Sequence, residues 1–336
     1  MIKKIFPFLA LLLIFCGCAK KNEQTSSSPF KVGLVFDVGG RGDKSFNDAA
    51  YRGLEHAKKE LMIDFEYIEP GPGADREAAL RQLATRKDIG VIFGVGFIFT
   101  DDITSIAKEF PQKKFACVDY TLDTTKQIPG NLVAIEFKEE EGSFLVGALA
   151  ALLTKTNTIG FIGGMESPLI KKFETGYVAG AKFANPACRV LIGYAGTTGD
   201  AFKNPGKGKE LALGQYNQGA DIIYHASGVT GLGVFEAARE MHKLAIGVDS
   251  DQYHEAPGYV LTSMTKVVDN AVFDIIKSVK ANTFTGGRAA IFDLKTKGID
   301  YVYDEYNKPL IPDDVHKKVE LIRDKIISGE ISVPSR

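Results

Sequence analysis

Tryptophan is absent from the 336 residues, cysteine is held to four and histidine to five. Without Trp, any aromatic recognition of a ligand falls to the 22 Phe and 12 Tyr. Four Cys over this length are too few for a disulfide-stapled scaffold. His56, His225, His242, His254 and His316 show no H-x-x-x-H or other metal-ligand spacing, so neither a metal nor a cofactor is expected. Excess charge is lacking too: 41 basic against 42 acidic residues leave a formal −1, with no basic footprint for nucleic acid. At 45% hydrophobic and 25% charged, the chain is neither disordered nor a multi-span membrane protein. Common catalytic and nucleotide signatures are missing. Gly228–Gly233 reads G-x-x-G-x-G, the wrong order for a dinucleotide fingerprint, and Gly206-Lys207-Gly208-Lys209 lacks Walker spacing. Ser227 is not in a G-x-S-x-G elbow.

What is present begins with a processing signal. Lys3 and Lys4 precede an apolar run, Ile5 to Phe15, that is short for a membrane span and fits a secretory signal. The run ends Gly17-Cys18, a small residue before Cys, which resembles the bacterial lipobox. Residues 1–17 are therefore expected to be removed and Cys18 to carry the lipid. Residues 18–30, polar and Ser-rich, then form a flexible tether. Cleavage removes two Lys and no acid, leaving 39 basic against 42 acidic residues, a net −3. Acyl chains supply the membrane affinity without a basic patch. Cys117 and Cys188, in separate apolar strand-like runs, read as buried small hydrophobes.

From Lys31 onward, short apolar runs alternate with segments of helical period. VGLVFD is followed by SFNDAAYRGLEHAKKEL, a predicted helix with Ser45 as candidate N-cap and Asp48 three residues on. Two more β–α–β steps run to KFACVDY. The alternation restarts at LVAIEF and its apolar helix EEGSFLVGALAALLTK, and continues to YVLTSMT and the helix after it. AIFDLKTKGIDYVYDEY reads as strand and hairpin, with a closing helix behind it. Apolar strands without alternation suit parallel sheets covered on both faces. The fold class is α/β, two doubly wound lobes around a central cleft, with ligand binding expected beyond the strands' carboxyl ends.

Three strand-like runs end in an acid: Asp37, Asp119 and Asp249. Acids there can bind metal, serve as acid/base pairs, or accept from ligand N–H and O–H groups. Phe46 and Asn47 open the first helix, and Phe173 lies early in the helix after TIGFIGG. Phe202, Gly228 and Lys266 fall on segments that follow later strands. Two Phe facing each other across a cleft would clamp a flat ring.

Taken together, GLVFDVGGRGDKSFNDAAYRGLE, ACVDY, GALAALLTK, FIGGME, GYVAGAK, PGKGKELA, ASGVTGLGVFEAA, AIGVDSDQ and LTSMTK resemble the basic membrane protein family. Its members are lipoprotein substrate-binding subunits of ABC importers, and the likeness is nearest to the purine nucleoside receptors. The resemblance implies a type I periplasmic binding protein fold joined by three crossovers. Lobe 1 would comprise 31–138 with about 266–292, and lobe 2 would comprise 139–265 with about 293–336. It implies a monomer that is not an enzyme and binds inosine, guanosine or adenosine. Permease and ATPase subunits would be its partners, and a lipid would hold it on the periplasmic or extracellular face of the cell envelope. Carried over by motif, Asp37, Asn47 and Asp119 would meet base edges, and Phe46 and Phe202 would sandwich the base. Asp249 and Lys266 would grip ribose hydroxyls, with Gly228 backbone near the sugar. Binding of a sugar or nucleobase, and nucleoside hydrolysis, are the competing readings.

Overall fold

The computed structural model describes residues 1–2, 30–70 and 76–335. Cys18, the tether to residue 29 and residues 3–17 of the expected signal lie outside the described residues. The chain runs β1 (Lys31–Val35), α1 (Phe46–Leu61), β2 (Asp64–Ile68), α2 (Arg76–Ala84), β3 (Ile89–Val95), α3 (Thr100–Glu109), β4 (Lys114–Val118) and β5 (Leu132–Phe137). It continues α4 (Glu139–Leu153), β6 (Thr158–Met165), α5 (Pro168–Ala184), β7 (Arg189–Gly196), α6 (Pro205–Asn217), β8 (Ile222–Ala226), α7 (Gly231–Met241), β9 (Leu244–Asp249) and β10 (Val260–Lys266). It ends α8 (Val268–Lys280), β11 (Arg288–Phe292), β12 (Ile299–Tyr301) and α9 (Asp313–Ser328).

The apolar runs form two six-stranded sheets, ordered β11-β5-β4-β3-β1-β2 and β12-β10-β9-β8-β6-β7. All pairs are parallel except β10–β12. Helices cover both faces, so central strands such as β4 and β8 are buried almost throughout. The expected class, two doubly wound α/β lobes, is what forms. The chain passes between sheets three times: through Lys138, through Val267, and through residues 293–298. Cys117, in β4, and Cys188, just before β7, are buried and unpaired.

Helix α4 shows why a largely apolar helix need not meet a membrane. It is buried on nearly every side, packing closely on α5 along a glycine seam. A Cβ on Gly180 would stand 2.0 Å from the Phe144 carbonyl oxygen, and one on Gly147 2.1 Å from that of Tyr177. Backbone cannot yield there as a side chain would. Gly180→Ala is expected to cost about 1–3 kcal/mol by overpacking. Urea denaturation checks this, and an unchanged midpoint would contradict the seam. Among the described residues no helix is long and apolar enough to cross a membrane.

Two expectations are corrected. The segment 290–306 is no hairpin: β11 pairs with β5 in the first sheet and β12 with β10 in the second. A tight turn closes on Asp293, whose carboxylate accepts from Thr296 N (2.8 Å), but the flanking strands leave it for different sheets. Ser45 occupies the N-cap position of α1 but does not cap it. Asp43 does, accepting from the N–H groups of Ser45 (3.0 Å), Asn47 (2.7 Å) and Asp48 (3.0 Å). Asp48 instead accepts from the backbone of Gly42 and Lys44.

Candidate functional site

Each doubly wound sheet exposes its strand ends to the other, and the side chains at those ends meet. Asp37 stands two residues past β1, Asp119 directly follows β4, and Asp249 is the last residue of β9. Asp119 (φ 59°) and Asp249 (φ 64°) both take the left-handed conformation, which Asp tolerates better than most residues. Strain of this kind concentrates at functional sites. Phe46 and Asn47 enter from the first turn of α1, and Phe173 from α5. Phe202 comes from the short 3-10 helix Gly199–Phe202, Gly228 from that of Gly228–Thr230, and Lys266 from the end of β10. All nine residues singled out in the sequence line one cavity.

The same cavity is lined by Asp43, Gly96, Phe97, Leu169 and Ser227, which the sequence reading passed over. Phe97 follows the end of β3 as Asp37 follows β1, so the strand-end rule could have found it. Ser227 directly follows β8 and is open to the same rule; Leu169 carries no comparable signal. With Phe97 the cavity has four phenylalanines. Phe97 and Phe202 meet edge to face across the cleft, with ring centroids 6.3 Å apart. Gly164 makes room for Phe202, since a Cβ there would lie 2.3 Å from the ring.

Lys266 is the electrostatic centre. Its ammonium donates to both Asp119 oxygens (2.7 and 2.8 Å), across the cleft, and to Glu139 Oε1 (3.0 Å). It also lies over the rings of Phe46 (5.1 Å), Phe137 (4.7 Å) and Phe173 (5.5 Å). Burial acts against its charge, but Asp119, Glu139 and Asp249 hold Lys266 above the usual lysine range. The acids are also pushed up, toward their neutral forms. Burial raises Asp37 and Asp119 to about 7 and Asp249 to about 6, with Lys266 opposing the rise at Asp119 and Asp249. Burial pushes His225, behind Ser227, down to about 3, so it is neutral at physiological pH. Among the described residues no three His, Cys, Asp or Glu side chains gather as a metal site.

Further bonds draw the lobes together. Ser45 Oγ donates to Asp249 Oδ2 (2.8 Å), Ser250 Oγ donates to Ser45 O (3.0 Å), and Arg52 Nη2 donates to Ser250 Oγ (2.9 Å). Asn47 is partly occupied in shaping the site: its Oδ1 accepts from Asp37 N (3.1 Å) and its Nδ2 donates to Asp43 (3.1 Å). The enclosed space is about 50 Å³, room for a few waters. A larger guest requires the lobes to part or the ring side chains to swing. What the lining offers is flat apolar faces, carboxylate acceptors and one cation, with no Arg among the described lining residues.

Comparison with known proteins agrees with this architecture. Residues 30–336 match the family model Bmp, described as ABC transporter substrate-binding protein PnrA-like. Basic membrane protein A1 of Borrelia garinii subsp. bavariensis is 36% identical, over 99% of this chain and 96% of its own. An uncharacterized lipoprotein of Pyrococcus abyssi is 35% identical, over 95% of this chain and 84% of its own. Among solved structures, an ABC transporter solute-binding protein from Aeropyrum pernix K1 superposes with a TM-score of 0.83 at 28% identity, covering 92% of this chain and 94% of that one. Solute-binding proteins of this kind have the type I periplasmic binding fold.

Proposed function

Because the chain belongs to the Bmp family of PnrA-like ABC transporter substrate-binding proteins, we propose that it binds a purine nucleoside between its lobes and delivers it to a permease. The observation that carries this reading is the lining: four phenylalanines, buried acids and no described Arg around one cleft. A nucleoside is neutral, with a flat base and a vicinal diol. Carboxylates accept from its N–H and O–H groups and Phe covers its ring faces, whereas a phosphate would face acids with a single Lys.

On this reading Asp37, Asn47 and Asp119 meet the base edge, and Phe46 and Phe202 take its faces, with Phe173 beside them. Asp249 and Lys266 reach the ribose hydroxyls near the Gly228 backbone. Lys266 has three donors, directed here at both Asp119 oxygens and Glu139; one of the two to Asp119 is given up to the sugar. The protein acts as a monomer without chemistry of its own, and the bodies that close on the ligand are 31–138 with about 267–292 and 139–266 with about 293–336, the boundary falling just after Lys266, the last residue of β10. Cys18 carries the lipid that holds it at the envelope surface beside the permease and ATPase subunits. The word lipoprotein in the name of the Pyrococcus abyssi relative supports that anchor.

Calorimetry with inosine, guanosine and adenosine tests the reading. Binding in the nanomolar to micromolar range, with no free base released on incubation, is the expected result. Tight binding of a sugar and of no purine nucleoside would overturn the ligand. Phe46→Ala is expected to weaken the nucleoside by about 1–3 kcal/mol, the worth of one stacked base. An unchanged dissociation constant would remove Phe46 from the clamp. Mass spectrometry of the N-terminal peptide reads the lipid on Cys18 directly.

A further inference from the structure

Outside the central cavity lie two larger hollows, about 730 Å³ each. One is bounded by the loop after β4 and the first turns of α5, the other by the same loop and α3. Tyr120, Thr121 and Leu122 line both, so the hollows are two arms of one groove. The central cavity shares three of its described lining residues with that groove: Asp119 and Leu169 with the first arm, Phe97 with the second. Phe97 and Leu169 are half-buried and line both spaces, so they stand between the central cavity and the groove.

The groove's size falls within the range of small-molecule sites, which the central cavity of about 50 Å³ does not reach. Its nearest wall is amphipathic. Leu122 is 38% exposed, and the Tyr120 hydroxyl is already satisfied by Thr104 (2.8 Å). The lysines of the first arm are paired, Lys171 with Glu174 (2.9 Å) and Lys172 with Glu139 (3.4 Å). Burial pushes its Glu136 up to about 7. The first arm suits an uncharged, largely apolar group, whereas the second also presents Asp101, Lys108, Asp123 and Lys126.

We propose that the groove is a second compartment of the ligand site, receiving an alkyl or aryl substituent on the polar edge of the base. The protein then accepts base-substituted purine nucleosides besides the unsubstituted ones. The proposal rests on the nucleoside reading, in which Asp119 faces that edge and therefore stands at the passage between the spaces.

The test is calorimetry on the full-length protein in detergent. Adenosine and guanosine are compared with their N6-benzyl and N2-benzyl derivatives, which keep an N–H on the base edge, in wild type and in Leu122→Glu. The expected result is that a bound parent and its benzyl derivative differ by less than about tenfold. Leu122→Glu should then weaken only the derivative, by tenfold or more, while the parent stays within twofold. A benzyl derivative bound more than a hundredfold weaker than its parent overturns the proposal and leaves the nucleoside reading standing. So does a Leu122→Glu variant that treats parent and derivative alike. If no parent binds, the nucleoside reading falls and this proposal falls with it.

Discussion

Replacing Lys266 by Met is expected to remove about 3–5 kcal/mol of folding stability, the cost of leaving buried acids without their cation. The Lys266 side chain is 1% exposed and those of its partners Asp119 and Glu139 are 5% and 0% exposed, so water cannot substitute for it. Methionine keeps the length of the side chain and its contacts with the surrounding rings, which isolates the charge as the cause. The effect carries a pH signature. Asp119 is already raised to about 7 by burial, against the pull of Lys266, and without Lys266 it rises further. A raised acid binds a proton more readily folded than unfolded, so the associated stability is present at low pH and lost as pH rises through the folded value. The deficit of the variant is therefore larger at pH 8 than at pH 5. Denaturation at the two pH values checks this, and an equal deficit at both would show that lost packing, not charge, is responsible.

Asp37→Asn is expected to act in the opposite direction on stability and to weaken binding. Burial lifts Asp37 from 3.8 to about 7, with only the Val38 N–H (2.6 Å) as a strong opposing partner. The ionised form is thus disfavoured in the folded chain, and its share of stability falls as pH rises from about 4 through 7. At pH 8 this amounts to at most about 4 kcal/mol. The part of Asp37 still open to the cavity lowers it by screening. An Asn can still accept from Val38 without carrying charge, so the variant should be more stable at pH 8 and no more stable at pH 4. It should also bind nucleoside less tightly, because one acceptor for base N–H becomes a donor. Such exchange of stability for function is common at binding sites. A variant no more stable than wild type at pH 8 would refute the burial argument.

Much of this was legible because strand ends are easy to locate in a parallel α/β chain. An apolar run that stops at an acid marks both the strand and the residue facing the cleft, as Val32 to Asp37 and Ala245 to Asp249 do. The three acids read that way, and the six residues read from the loops, helix starts and motifs after the strands, line one cavity. What escaped depends on where side chains point and on pairing between distant segments. Ser45 carries the usual mark of an N-cap, yet its hydroxyl turns to Asp249, more than two hundred residues away. Local preference cannot register that partner. The turn at Asp293–Gly298 has the composition of a hairpin, and only the sheet that each flanking strand joins reveals a crossover. Leu169 enters the lining through the angle of α5, which leaves no trace in residue type.

The three passages between lobes are not independent threads. Lys138 N donates to Phe292 O (2.9 Å) and Val267 N to Gly298 O (3.0 Å), so both single-residue links are stitched to the ends of the third. Those two residues also hold nearly the same dihedral angles, φ −91° and ψ 68° at Lys138, φ −81° and ψ 55° at Val267. This is the inverse γ-turn region, a shallow minimum between the helical and extended wells. Any swing of one lobe against the other must alter these two matched dihedral pairs together while the stitches hold. The crossover strip thus behaves as a single torsion element, and amide exchange at Lys138 and Val267 would report its state as one signal.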